Sequence, residues 1–201
     1  VLEQDYPNYE VLFVVADPAD PARAVCERLA RTSGVPARVL VAGPPSGRAE
    51  KVNNLEAGVR AARAESEAFV FVDSDGRPPR GWLRTLVAYL ADPQVGAAST
   101  FRWYIPDGDF LSGLQSAWNG PGMTYMGEWS RNFCWGGGTA IRRQTFYEID
   151  VPRYWAGCVS DDLMLTRALR DAGKPIVYVP QCLVATHHPT TWAKLLEWTT
   201  R

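Results

Sequence analysis

Two aspartates one residue apart, Asp73 and Asp75, stand directly behind an unbroken apolar run, Ala68–Val72. Carboxylates so placed can both reach one hard divalent cation, and that cation can hold a diphosphate. Asp-Ser-Asp-Gly is also ordinary turn chemistry, and a bare D-x-D arises often by chance. Position favours the first account, because the end of a fully apolar strand is a costly place for two acids unless they are used. A second acidic pair, Asp161 and Asp162, follows Ser160. Serine is a good N-cap and acids in a first helical turn are stabilised by the helix dipole, so residue types alone favour a structural account. The chemical alternative is a general base that takes the proton of an acceptor hydroxyl beside a sugar.

Lys51 follows a glycine-proline loop, with Asn53 and Asn54 close behind. At a helix start its ammonium either faces a phosphate or is merely solvated. Asp17 ends the first apolar run and either meets a nucleotide or opens a turn with Pro18. Trp135 precedes Gly136, Gly137 and Gly138, a pattern that suggests close backbone approach to a flat ligand such as a sugar ring. A core tryptophan beside a turn explains it nearly as well. His187 and His188 are neighbours, and neighbours on a strand point to opposite faces, so a shared metal is disfavoured and a structural role expected.

These side chains need elements to hold them, and the chain alternates strand and helix patterns in the manner of an α/β layered domain. Residues 9–16 read as a strand buried on both faces. A helix to residue 31 follows, with Val25 and Leu29 on one face, then a strand at 37–41 and a helix at 52–64. After the strand 68–72, Pro78-Pro79 restarts the chain as a helix to residue 90, with Trp82, Leu86 and Leu90 inward. Residues 95–104 are strand-like. Residues 110–135, rich in tryptophan, tyrosine, methionine and glycine, show no clear period. A strand at 139–142 and a loop with Trp155 precede a helix that begins at Ser160-Asp161-Asp162 and stops at Gly173. Short strands at 176–179 and 182–186 follow, and Trp192, Leu195, Leu196 and Trp198 mark a last amphipathic helix. No repeat or low-complexity linker divides the chain, so residues 1–201 are expected to form one domain.

Bulk properties set the outer limits. The 201 residues are 46% apolar and 21% charged with a net charge of −1, which calls for no polyanionic partner such as nucleic acid. Cys26, Cys134, Cys158 and Cys182 form no C-x-x-C, so free thiols are expected rather than a zinc site, and a reducing compartment follows weakly. No run is long and apolar enough for a membrane span. No G-x-G-x-x-G follows a strand, which speaks against an NAD-dependent oxidoreductase. The opening residues read as the tail of a helix running into a turn, and the chain as a piece of a longer protein.

Taken in order, Gln4-x-Tyr6-Pro7, Asp17-x-x-Asp20-Pro21, Lys51-x-Asn53-Asn54-Leu55, Asp73-x-Asp75, Gly137-Gly138-x-Ala140-x-Arg142-Arg143, Asp161-Asp162 and Trp198-x-x-Arg201 resemble the family 2 glycosyltransferases, and among them the ceramide glucosyltransferase type. The resemblance implies an α/β fold of GT-A type, a Rossmann-like three-layer domain on a mixed, mostly parallel sheet. It implies a UDP-sugar donor, with UDP-glucose expected, Mg²⁺ or Mn²⁺ as cofactor, and inverting transfer to a hydroxyl of a lipid or glycan. Asp17 would contact the nucleotide, Lys51, Asn53 and Asn54 would line the donor site, and Asp73 and Asp75 would serve the ribose and the metal-diphosphate. Asp162 would be the catalytic base with Asp161 beside it, and Arg201 would hold diphosphate or acceptor.

Judged against the same pattern, about 40 residues with a first strand are absent, which would leave an interior slot in the sheet. The resemblance also implies a membrane-associated protein, anchored by segments outside this sequence, with its catalytic domain facing the cytoplasm. Residues 110–135 and the last helix would then lie at headgroup depth. The sequence departs from the ceramide type in having no histidine within residues 119–125. Two other accounts are a nucleotidyltransferase on a similar sheet, disfavoured because no basic phosphate loop is seen, and a non-catalytic sugar- or metal-binding module. Convergence of Asp73, Asp75 and Asp162 on one cleft would separate catalysis from the binding module.

Overall fold

The computed structural model describes residues 1–187 and 190–200. Along the chain run β1 (Val11–Val15), α1 (Pro21–Thr32), β2 (Ala37–Val41), α2 (Glu50–Ala61), β3 (Ala68–Val72), α3 (Trp82–Ala88), β4 (Ala97–Ser99), β5 (Arg102–Tyr104) and α4 (Phe110–Thr124). Then come β6 (Gly138–Arg142), α5 (Arg143–Glu148), α6 (Val151–Trp155), α7 (Asp161–Asp171), β7 (Ile176–Tyr178), β8 (Val184–Thr186) and α8 (Trp192–Thr199).

The central sheet has the order β3-β6-β4-β7, flanked by a parallel pair β1-β2 and a parallel pair β5-β8. Within the central sheet β6 runs against β3 and β4, while β4 and β7 are parallel. Register decides what meets at its upper edge. Val72 lies opposite Gly138 and Ser99 opposite Thr139, so the carboxyl ends of β3 and β4 flank the start of β6. In an open α/β sheet that edge is where ligands bind.

Side chains alternate across this sheet, and each face builds its own core. Phe69, Phe71, Ala97, Ile141 and Ile176 face the layer of α2, α5, α6 and α7, where Val52, Phe146, Trp155 and Leu169 close the packing. Ala98, Ala140 and Val177 face the layer of α3, against Trp82, Leu86 and Leu90. Trp82 donates its indole N–H to the Cys182 carbonyl at 2.9 Å, which satisfies the one polar atom it brings into the core. Two cores on one sheet make three layers.

Among the described residues β1 pairs with β2 and β3 pairs with β6, and β1 and β3 do not pair with each other. Between them runs an open groove of about 2290 Å³, lined by residues 11–15 on one side and 68–73 on the other. Val25 and Leu29 share one face of α1, as their spacing indicates, but that face lines the groove and both remain exposed. Gln4 ties the chain start to α3, donating to the Pro79 carbonyl at 3.0 Å and accepting from the Leu83 amide at 2.8 Å. Residues 1–10 contain turns and no helix.

Four local expectations need correction. The segment from residue 110 is helical to Thr124, capped by Asp109, whose carboxylate accepts from the amides of Leu111 and Ser112 at 2.9 Å. Its periodicity is weak because no charged residue marks a polar face and Gly113, Gly120, Pro121 and Gly122 interrupt the pattern; Ser112 and Gln115 are buried while Phe110, Trp118 and Tyr125 are exposed. The stretch before Ser160 is two short helices, α5 and α6, separated by Asp150 in the left-handed region at φ 52°. Residues 95–104 split between two sheets, because β4 pairs with β6 and β7 whereas β5 pairs with β8. The helix after Pro78 starts at Trp82.

All four cysteines are free thiols, Cys134 and Cys182 buried and Cys26 and Cys158 half-buried. No helix among the described residues is long and apolar enough to cross a membrane.

Candidate active site

The site is built on the turn that feeds β6. Three buried hydroxyls set it. Ser99 Oγ accepts from the Trp135 amide at 2.8 Å and lies 2.8 Å from Thr139 Oγ1, which donates to the Trp135 carbonyl at 2.8 Å. Thr166 Oγ1 accepts from the Cys134 amide at 2.9 Å and donates to the Asp162 carbonyl at 2.8 Å, joining the turn to α7. Burial pushes the Cys134 thiol up to about 12, so the cysteine here is inert packing.

The glycines are needed because the protein's own acids crowd the turn. A Cβ at Gly136 would lie 2.6 Å from Lys51 Nζ, 2.8 Å from Asp161 Oδ2 and 3.3 Å from Asp162 Oδ2. A Cβ at Gly137 would lie 2.5 Å from Asp73 Oδ2 and 2.3 Å from the Trp135 ring. The close approach that the Trp-Gly-Gly-Gly pattern suggested is therefore made by the site's own side chains. Trp135 stacks under a guanidinium, with Arg102 5.4 Å above its ring.

Lys51, in the first turn of α2, donates to Asp73 at 3.0 Å and pairs with Asp161 at 3.4 Å. Burial disfavours its charge, but Asp161 and Asp73 outweigh that and hold the ammonium above its ordinary pKa. Burial also raises the Asp161 carboxyl, with Lys51 pulling the other way and Asp162 adding to the rise. Asp162 spreads its oxygens over the head of α7: one accepts from the Leu163 amide at 2.8 Å and contacts Ser160 Oγ, the other accepts from the Gly136 amide at 3.2 Å. Ser160 is the N-cap, as its type indicates, and the Trp155 indole donates to the Asp161 carbonyl at 3.0 Å.

Arg102, the first residue of β5, is not among the residues to which the sequence points. It makes a two-pronged pair with Asp75 at 2.6 and 2.7 Å and reaches Asp73 at 3.1 Å. Burial works against its charge, but the hydrogen bonds and charge of Asp75 outweigh it and raise the guanidinium further above its already high value. One signal was available, an arginine interrupting a strand-like run, but it points to no partner.

The remaining expected residues divide. Asn53 donates to the Gly43 carbonyl at 3.0 Å and pins the loop before α2. Asn54 keeps a buried amide oxygen without a hydrogen-bond partner and lines the groove. Asp17 accepts from the Ala19 amide at 2.7 Å, so the structure shows the turn-opening role and no contact with the acidic cluster. His187 is exposed, while His188 and Arg201 lie outside the described residues.

Asp73, Lys51, Asp161 and Asp162 thus meet around Gly136 and Gly137, and Arg102 links Asp75 to the same group. The two acidic pairs therefore share one cleft and are not scattered over the surface. Among the described residues no three carboxylate, imidazole or thiolate groups cluster as a closed metal site. Asp73 and Asp75 do share one cation, the Arg102 guanidinium, so a two-carboxylate site completed by substrate oxygens fits them.

A family model described as glycosyl transferase family 21 matches residues 1–201. The chain belongs to glycosyl transferase family 21. The short motifs resembled family 2; the match over every residue decides the number. Among solved structures, this family 21 chain is similar to glucosyl-3-phosphoglycerate synthase from Mycobacterium tuberculosis, solved with Mn²⁺ and uridine-diphosphate-glucose, at 16% identity over 92% of this chain and 73% of that one, TM-score 0.50. A looser likeness is to mannosyl-3-phosphoglycerate synthase from Rubrobacter xylanophilus, at 12% identity over 96% and 71%, TM-score 0.43. The family 21 transferase has the GT-A fold expected of it, a Rossmann-like three-layer α/β domain with a mixed, mostly parallel sheet.

Proposed function

We propose that this glycosyltransferase moves a hexose, with glucose expected, from a UDP-sugar to a hydroxyl of a lipid or glycan, with inversion at the anomeric carbon. The observation that carries the reading is the meeting of Asp73 and Lys51 with Asp161 and Asp162 at Gly136 and Gly137. It brings an anion-holding, cation-binding half and a proton-accepting half within one residue of each other. The solved relative of the same fold that holds Mn²⁺ and UDP-glucose supports the donor class.

In this reading Asp73 and Asp75 hold Mg²⁺ or Mn²⁺, which when bound neutralises charge developing on the departing diphosphate. Lys51 adds a second positive charge at a helix start. Asp162 accepts the proton of the incoming hydroxyl, and its two backbone amide donors aim it without burying it. Asp161, buried and paired with Lys51, orients that ammonium rather than taking the proton itself. Asn54 offers its free amide oxygen to the donor from the groove wall.

The same reading takes the protein as membrane-associated, with the catalytic domain on the cytoplasmic side. Its support is the exposed set Phe110, Trp118, Tyr125 and Trp129, joined by Trp192 and Leu196 on α8, which packs against α4. Helix α4 carries no charged residue from Phe110 to Thr124. Tryptophan and tyrosine of this kind favour the headgroup region.

The test is a donor screen on the full-length protein in membranes, with UDP- and GDP-sugars, Mg²⁺ or Mn²⁺, and lipid extract as acceptor. Transfer from UDP-glucose to a lipid, lost on chelation, is the expected result. Turnover confined to guanosine donors, or unaffected by chelator, overturns the reading.

A further inference from the structure

Asp73 and Asp75 are held by a cation of the protein's own. The Arg102 guanidinium forms both hydrogen bonds of a bidentate pair with Asp75 and a third with Asp73, and only 12% of its side chain is exposed. Its backbone is fixed, because the Asn119 amide donates to the Arg102 carbonyl at 2.8 Å and β5 pairs with β8. The guanidinium itself lies over two rings, 5.4 Å from the centroid of Trp135 and 5.8 Å from that of Tyr104. Such a platform keeps a positive group nearby after its carboxylate partners are withdrawn.

We propose that Arg102 is the resident counter-ion of the Asp73–Asp75 pair and makes capture of the divalent ion conditional on the nucleotide diphosphate. The inference rests on the donor reading above. A divalent ion arriving alone has to displace a desolvated, two-pronged arginine and then lie beside its unpaired charge, which is unfavourable at short range. A diphosphate arriving with the ion offers the released guanidinium a new anionic partner. The exchange then conserves charge-assisted hydrogen bonds instead of losing them.

Net charge does not bar the ion; the arginine fork on Asp75 and Asp73 does. Asp73, Asp75, Asp161 and Asp162 outnumber Lys51 and Arg102 by two negative charges, which one divalent ion balances once Arg102 stays on its platform. The cluster therefore accommodates the ion and the arginine together, provided the arginine leaves Asp75. Lysine at this position would keep the charge and lose the fork, so charge and geometry can be separated by substitution.

The experiment is Mn²⁺ binding to the full-length protein, read by the electron paramagnetic resonance of free Mn²⁺, with and without UDP. In the wild type, UDP tightens Mn²⁺ by about tenfold or more. In Arg102→Gln, Mn²⁺ alone binds about tenfold tighter than to the wild type and the effect of UDP shrinks to about twofold. Arg102→Lys falls between the two. Circular dichroism checks that each variant is folded, and Arg102→Lys carries the test if Arg102→Gln is not. Wild-type coupling retained in the folded variants overturns this inference alone. A wild-type protein that binds neither Mn²⁺ nor UDP overturns the donor reading along with it.

Discussion

Lys51 at the head of α2 and Asp161 at the head of α7 form an ion pair of 3.4 Å, although three of the four central strands, β3, β4 and β6, lie between them in sequence. The same ammonium donates to Asp73, so one lysine ties the acid behind β3 to the acids that open α7. Activity and stability are both expected to depend on this junction, and differently.

Replacement of Asp162 by Asn leaves the Ser160 cap and one oxygen for the Leu163 amide, but removes the proton acceptor and the second oxygen that faces the Gly136 amide. Transfer is expected to fall by roughly 10²–10⁴-fold while UDP binding changes little. Turnover at saturating donor beside UDP titration of the same sample checks it. Joint loss of both would sink the assignment of Asp162 as base.

Asp161→Asn tests the buried charge. The folded carboxyl is raised above its ordinary value by burial, so its ionisation opposes folding as pH climbs from the usual carboxylate range through that raised value. Below that window the acid is protonated in both states and contributes no such cost. The melting temperature of Asp161→Asn relative to wild type should therefore become more favourable from pH 4 towards pH 7. A difference that is flat with pH, or shrinks, contradicts the burial argument.

Gly137→Ala should disable the site, since the new methyl group would sit within 2.5 Å of both Asp73 and the Trp135 ring. We expect transfer to drop by more than about tenfold, because displacement of about an ångström at such a site is costly. Gly113→Ala is the contrast. It lies in α4 with nothing within 4 Å of a new Cβ, so it should stabilise by about 0.5–1 kcal/mol and leave transfer unchanged. Thermal melts and initial rates on the two variants separate crowding from a general effect of losing a glycine.

Exchange of Trp118 and Trp192 for Ser removes two exposed rings from the α4–α8 surface. Co-flotation with anionic lipid vesicles should weaken severalfold, while UDP binding in detergent stays at the wild-type level. Unchanged flotation would argue that this face does not meet the bilayer.

Much of the framework is legible in the sequence. The strand 68–72 and the helix from Ser160 to Gly173 are strong local signals, one a β-branched and aromatic run and the other a serine cap with a glycine stop. Segment 110–124 is not legible as a helix because it has no charged face and its three glycines and Pro121 are poor helix formers, so no period stands out. The acids and Lys51 were found because charged residues beside apolar strands and caps stand out by type.

Arg102 and the Ser99–Thr139–Thr166 hydroxyls were not, since nothing in a single arginine, serine or threonine names its partner. From composition and order alone came the α/β class, the acidic pairs and the family resemblance, because these depend on local residue types and their sequence. The tertiary structure alone decided that a lysine bridges two distant acids and that an arginine already holds the aspartates at the end of β3. Those contacts depend on sheet register, in which Val72 meets Gly138 and Ser99 meets Thr139, and register is a long-range property of the folded chain.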